Sequence, residues 1–308
     1  MKIALLVLLG LATVWLLGDW IYASVVARRI RKWEASIERD EQRVEEGCRE
    51  YTIGSGETAV LLIHGINDSP RCYHKMAPAL AEEGFTCRVM RLPGFAEPIE
   101  RYAQATKEQW LAAVKREIRS LGQDHDRVAV VAHSLGGAVT IAYLLEDPEA
   151  VDAVVLLAPA VEVSNRRSPL LSARAWHEIG RRLLWFTRIT SSPFPNDCRD
   201  PTEREYPGRT VFVPIAVLDQ TFALLDANRG RAPEFSTPLL MVLAKDDQVV
   251  DWEAAERFYQ DASSEQKAIR FMAESGHVIS LDYGWEDLTR EIAAFLRDER
   301  GKRSTGEN

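Results

Sequence analysis

The stretch that most constrains this chain runs Arg127-Val-Ala-Val-Val-Ala-His-Ser-Leu-Gly-Gly-Ala, ending at Ala138. Residues 128–132 form an unbroken apolar run, the pattern of a strand buried on both faces. His133, Ser134, Leu135, Gly136 and Gly137 follow, and a helical pattern continues to about Glu146. Strand, tight turn and helix with a serine at the apex is the arrangement of a nucleophile elbow, in which a strained turn lifts the hydroxyl clear of the sheet. Small residues flank such a turn because its backbone passes close to neighbouring chain. In the usual G-x-S-x-G pattern the first position is glycine; here it is Ala132. Alanine fits unless that position needs a positive φ. The competing reading of Ser134 is an N-cap serine in a buried loop.

With 308 residues, the chain is long enough for one large α/β domain with an insertion. A net charge of −8 argues against a general nucleic-acid binder. Cys48, Cys72, Cys87 and Cys198 show neither C-x-x-C nor zinc spacing, so neither a disulfide nor a metal site is expected. No organic cofactor is implied.

Residues 3–18 are almost wholly apolar, and after Asp19 the apolar character resumes to residue 27. At about 1.5 Å per residue the first run reaches about 24 Å, short of a bilayer core of about 30 Å, and extension past Asp19 closes the gap. Asp19 is then expected near one interface, with Trp15, Trp20 and Tyr22 as an aromatic belt. Residues 1–27 thus read as a single-pass transmembrane anchor. Arg28, Arg29, Arg31 and Lys32 after the span place the rest of the chain on the cytoplasmic side. The alternative is a secretory signal peptide cleaved after Val25-Val26-Ala27, with export of the mature protein. Residues 28–49, charge-dense from 31 to 46, read as a solvated helical linker that Gly47 ends.

Residues 50–53 and 58–63 read as strands joined by Gly54-Ser55-Gly56-Glu57, a hairpin signal. Helical spacing follows over 71–83, with Tyr73, Met76 and Leu80 on one face, and over 106–121, with Trp110, Ala113, Val114 and Ile118. Further strands are expected at 85–90, 151–157, 239–244 and 268–272, and helices at 252–259 and 285–296. Strands alternating with helices mean a mostly parallel sheet with helices on both faces. Residues 160–236 interrupt the alternation as an insertion, within a domain spanning 50–298. The polar residues 299–308 read as a frayed, disordered tail.

A serine hydroxyl needs a base within hydrogen-bond reach, and the base needs an orienting acid. Behind an elbow of this kind the chain order is serine, acid, histidine. Of the six histidines, His177 and His277 follow Ser134. His177 lies in a helical pattern of the insertion; His277 lies in Ser275-Gly276-His277, a loop just past the last strand, and is the expected base. The acid belongs just past the preceding strand, where Asp246 and Asp247 both stand; Asp247 is preferred and Asp246 is read as solvated or turn-capping. Two backbone N–H donors are needed for the oxyanion, and Leu135 and Ile66 are assigned, with Gly65 permitting close approach. His64 and His133 read as structural.

His64-Gly65-Ile66, Leu92-Pro93-Gly94, His133-Ser134-Leu135-Gly136-Gly137, the Asp247 turn and Ser275-Gly276-His277 stand in the order and spacing of α/β-hydrolase-fold serine hydrolases. Over residues 50–298 the chain resembles the monoacylglycerol lipase, lysophospholipase and carboxylesterase group. It departs at Ala132 and at Phe95, where many relatives carry Gly-His-Gly. The resemblance implies that 160–236 is a cap over the site. That segment is rich in large apolar residues and holds Arg174, Glu178, Arg181, Arg182 and Arg188 broadly on one helical face, which suits either an anionic lipid surface or an ordinary lid helix. The expected function is a membrane-anchored serine esterase on lipid-like esters; a peptidase or amidase on the same triad and a non-catalytic binding protein are the alternatives.

Overall fold

The computed structural model describes residues 2–194 and 196–303, with side chains through Arg297. The strands are β1 (Tyr51–Ile53), β2 (Thr58–Ile63), β3 (Thr86–Met90), β4 (Arg127–His133), β5 (Ala153–Leu157), β6 (Ile189–Ser191), β7 (Phe212–Pro214), β8 (Leu239–Ala244) and β9 (Lys267–Met272). The helices are α1 (Lys2–Glu34), α2 (Met76–Glu82), α3 (Ile99–Tyr102), α4 (Lys107–Asp124), α5 (Leu135–Leu144), α6 (Ala173–Leu183), α7 (Ile215–Asn228), α8 (Trp252–Asp261) and α9 (Trp285–Arg303). Among the described residues the main sheet has the order β1-β3-β2-β4-β5-β8-β9, parallel except at the β1 edge, and β6 and β7 form a separate antiparallel pair. This is the α/β-hydrolase fold.

The apolar runs explain the centre. Every residue of β2, β5 and β8 is buried, because helices cover both faces of these strands. Helices α4, α5 and α7 pack on one another, and α2 packs on α9. All ten residues of α5 are buried, so the helix behind the elbow is the innermost one. Thr106 opens α4 with a capping box: its hydroxyl takes the Gln109 N–H, and the Gln109 side chain takes the Thr106 N–H.

Several expectations are corrected. β1 and β2 form no hairpin; β1 pairs antiparallel with β3, and both edges of β2 are taken by parallel neighbours. The connecting glycines serve a crossing instead of a hairpin turn. A Cβ at Gly54 would lie 2.2 Å from the Phe85 carbonyl oxygen, and one at Gly56 would lie 1.9 Å from that of Gly84. The charged stretch after residue 34 is not helical. The Asp40 carboxylate accepts the Gln42 and Val44 N–H groups, and Arg43 adopts φ 66°, so local side-chain bonding outcompetes the helix. Gly47 still turns the chain, at φ 75°. Helix α9 continues to Arg303, into the stretch expected to fray; residues 304–308 lie outside the described residues.

The 160–236 insertion divides. Its second half is not a cover over the site: α7 packs on α4 and α5 and buries Val217, Leu218, Thr221, Leu224 and Leu225. The covering part is the region around α6, which has no buried residue of its own. Arg188 lies beyond the end of α6, off the expected helical face. The other arginines of that face are paired: Arg174 with Glu162 and Asp226, Arg181 with Glu178 and Asp219, and Arg182 with Glu178. That pairing favours the lid reading over a free basic face.

Helix α1 is long and apolar enough to cross a membrane, with a mean hydropathy of 2.0 over its best window. A signal sequence has the same character, and this helix stands at the N-terminus. Its C-terminal part packs on the domain through buried Val26 and Ile30 and through Trp33, whose ring meets Phe212 edge-on at 5.6 Å. Asp19 does not face an open interface; it is buried against the chain after α6.

Candidate active site

Ser134 follows β4 at φ 53° and ψ −116°, a conformation L residues rarely hold, and α5 begins at the next residue. Close packing holds it there. A Cβ at Gly136 would lie 2.6 Å from the carbonyl oxygens of both Ile63 and His64, and one at Gly137 would lie 2.8 Å from Pro159 Cβ. Ala132 is fully buried inside β4, and it is not among the residues of positive φ, so alanine serves where glycine is usual. Ser134 makes no N-cap hydrogen bond; its hydroxyl is engaged elsewhere.

His277 Nε2 lies 2.9 Å from Ser134 Oγ, and His277 Nδ1 lies 2.7 Å from Asp247 Oδ2. All three residues are buried. Asp247 Oδ1 accepts the N–H groups of Val249 and Val250 at 2.7 and 2.9 Å, which leaves Oδ2 aimed at the imidazole. With the carboxylate on Nδ1, the ring carries its proton there and presents the Nε2 lone pair to the hydroxyl. Asp246 points away and pairs with Arg199 at the surface. His177 is not at this site; in α6 it bonds Asp219 at 2.8 Å.

The assigned donors border the serine. Leu135 is the first residue of α5, where the N–H has no carbonyl one turn back to meet. The loop from His64 to Ile66 lies against Ser134: a Cβ at Gly65 would stand 2.9 Å from Ser134 Cβ and 3.4 Å from its Oγ. His64 braces that loop, fully buried, with Nδ1 on the Gly65 carbonyl at 2.9 Å and Nε2 accepting the Leu92 N–H at 3.1 Å. Burial holds its pKa down to about 4, so it is a neutral strut. His133 is also buried and its pKa is pushed well down, and its Nε2 donates to the His277 carbonyl at 2.9 Å. It thus ties the His277 backbone to the elbow strand.

Residues 54–283 match the family described as Hydrolase_4, serine aminopeptidase, S33. The chain belongs to that family. It is 26% identical to the thermostable monoacylglycerol lipase of Bacillus sp. (strain H-257), over 83% of this chain and 96% of the relative. It is 22% identical to a carboxylesterase of Bacillus subtilis (strain 168), over 80% of this chain and 95% of the relative. Among solved structures it is similar in fold to one described under LipS and LipT, two metagenome-derived lipolytic enzymes. The TM-score there is 0.72 at 22% identity, covering 83% of this chain and 99% of that one.

Two carboxylates of this Hydrolase_4 member support the site and were not anticipated. Asp282, fully buried, accepts the N–H groups of Gly276 (2.7 Å), Arg199 (2.9 Å), Tyr283 (2.9 Å) and Asp200 (3.0 Å), binding the His277 loop to the insertion. Asp197 accepts the Gln248 N–H on its side chain at 2.8 Å and the Val278 N–H on its carbonyl at 3.2 Å, so it joins the Asp247 and His277 loops. Burial raises its carboxyl pKa. Neither stands in a local pattern that marks it: Asp282 joins nearby amides to those of Arg199 and Asp200, and Asp197 meets Gln248 and Val278 far along the chain.

A cavity of about 350 Å³ opens beneath α6, with Trp176, Leu184, Phe194, Leu218, Phe222 and Val249 in its wall. Val249 in that wall is one of the two residues whose N–H binds Asp247.

Proposed function

We propose that this chain is a membrane-anchored serine hydrolase that cleaves carboxylic esters of lipid type, such as monoacylglycerols or lysophospholipids, through an acyl-enzyme. Lipase- and esterase-type relatives across most of its length support ester hydrolysis. The observation that carries the mechanism is the hydrogen-bonded series from Ser134 Oγ through His277 to Asp247.

In this reading His277 Nε2 takes the hydroxyl proton as Ser134 Oγ attacks the ester carbonyl carbon. The carbonyl oxygen becomes anionic between the Leu135 and Ile66 N–H groups, and the positive end of α5 adds to its stabilisation. Collapse expels the alcohol, which leaves with the proton from His277. Water then repeats the sequence on the acyl-serine and frees the acid. Asp247 holds the ring and offsets the imidazolium charge in each half. The cavity beneath α6 suits an acyl chain, being walled by aromatic and aliphatic side chains. In this reading helix α1 is the anchor, and the arginines and Lys32 after its apolar part support a cytoplasmic domain.

A second reading, a peptidase or amidase on the same residues, is favoured by membership of a family described as serine aminopeptidases. The experiment uses full-length protein with a fluorophosphonate probe and two substrate sets. Ser134→Ala is expected to abolish labelling. p-Nitrophenyl esters are expected to turn over with a preference for longer chains, and aminoacyl nitroanilides to remain uncleaved. Turnover of the anilides alone would overturn the esterase reading, and undiminished labelling of Ser134→Ala would overturn the site.

A further inference from the structure

Asp19 is the sole acidic residue between Met1 and Arg28, in a run that otherwise suits lipid. It is 5% exposed, while most residues around it on α1 lie open. A carboxylate in such a place persists only when its oxygens are satisfied. Here Oδ2 accepts the N–H groups of Trp185 and Phe186, at 2.7 and 2.8 Å, and Oδ1 accepts the Thr187 hydroxyl at 2.6 Å. One turn earlier, Trp15 Nε1 donates to the Leu183 carbonyl at 2.9 Å. The anchor helix thus grips residues 183–187, the chain that leaves α6.

This grip sits where it can govern the cavity. Leu184 caps α6, its N–H on the Gly180 carbonyl, and its side chain is shared between the cavity wall and the groove along α1. Helix α6 buries no residue, so few apolar contacts fix it. Its hold comes from polar ties, such as His177 to Asp219 and Arg174 to Glu162, and from its two ends.

We propose that Asp19 is a latch between anchor and cap, a positioning residue that sets α6 over the cavity for esters presented from the bilayer. Trp185 and Phe186, exposed like Trp15 and Tyr22 of α1, suit a latched segment at the membrane boundary. The substrate aspect rests on the ester-hydrolase reading above; the latch itself does not.

The test compares full-length native protein, Asp19→Leu and Asp19→Asn in phosphatidylcholine vesicles. Leucine keeps the helix apolar and removes the acceptors. Asparagine keeps an oxygen for the Trp185 and Phe186 N–H groups, and its NH₂ can donate to the Thr187 hydroxyl. In Asp19→Leu, trypsin is expected to cut after Arg181, Arg182 or Arg188 at least about fivefold faster, as local opening grows. KM for a vesicle-borne long-chain monoacylglycerol is expected to rise about tenfold, with kcat and p-nitrophenyl acetate turnover within about twofold of native. Asp19→Asn is expected to restore both. Unchanged trypsin sensitivity and KM in Asp19→Leu would overturn the latch. So would equal losses on both substrates, failure of asparagine to rescue, or a mature protein that begins after Ala27. Fluorophosphonate labelling of the same samples reports on Ser134 separately. If native protein neither labels nor hydrolyses esters, the hydrolase reading falls and the trypsin arm alone decides the latch.

Discussion

Ser134 and the groups within reach of it are held by buried neighbours. His64 and His133 are the clearest of these, because each works as a neutral hydrogen-bonding strut. A histidine whose folded pKa lies near 4 takes up protons in the unfolded chain before it does in the folded one. The stability linked to His64 is therefore complete above about pH 6.5 and declines as pH falls toward 4, by roughly 3 kcal/mol over that window. Burial depresses the His133 pKa too and adds loss in the same direction. Urea midpoints taken between pH 7.5 and 4.5 are expected to fall steeply for native protein and less steeply for His64→Asn. Equal slopes would show that His64 does not titrate as its burial demands.

At the scale of elements, the site depends on how closely α5 approaches the end of β2. Gly136 is where that approach is tightest, and two backbone carbonyl oxygens occupy the space a methyl group would need. Backbone cannot swing aside as a side chain can, so Gly136→Ala is expected to cost at least about 2 kcal/mol, read as a lowered thermal midpoint, or to prevent folding. A variant with a native midpoint would show that α5 can shift outward. The strand–turn–helix of the elbow was legible because its signals are local: an apolar run, small residues and a serine within a dozen positions. The edge pairing of β1 was not legible. Gly54 to Glu57 carry a turn signature, but which strand lies alongside is set by the neighbours that already occupy both sides of β2. The insertion misled for a related reason. α7 is an ordinary sheet-covering helix, but the irregular chain before it hid the return to the alternating pattern.

For the whole molecule, α1 is long and apolar enough to cross a membrane, and its C-terminal part belongs to the fold. Removal of residues 1–18 is expected to release the protein from membranes and leave a folded domain that still labels with fluorophosphonate. Removal through residue 34 also strips Val26 and Ile30, which are buried, and uncovers Phe212. At about 1.5–3 kcal/mol for each buried aliphatic side chain, that second truncation is expected to cost about 3–6 kcal/mol. Flotation with vesicles and thermal melts of the two truncations check both statements; equal midpoints would mean that the C-terminal part of α1 contributes nothing to the domain.

By itself the sequence determined the parallel α/β sheet, the elbow, and the chain order of Ser134, Asp247 and His277, together with a long apolar helix at the start. These follow from hydrophobic period and from residue types fixed beside strand ends, and both are local properties of a chain. Only the tertiary structure decided that Asp282 and Asp197 clamp the His277 and Asp247 loops, that β1 joins β3, and that Asp19 reaches the segment after α6. Each of those is a carboxylate or strand edge meeting backbone groups remote in sequence. Every residue carries the same amide and carbonyl, so no pattern of side chains announces which of them will meet.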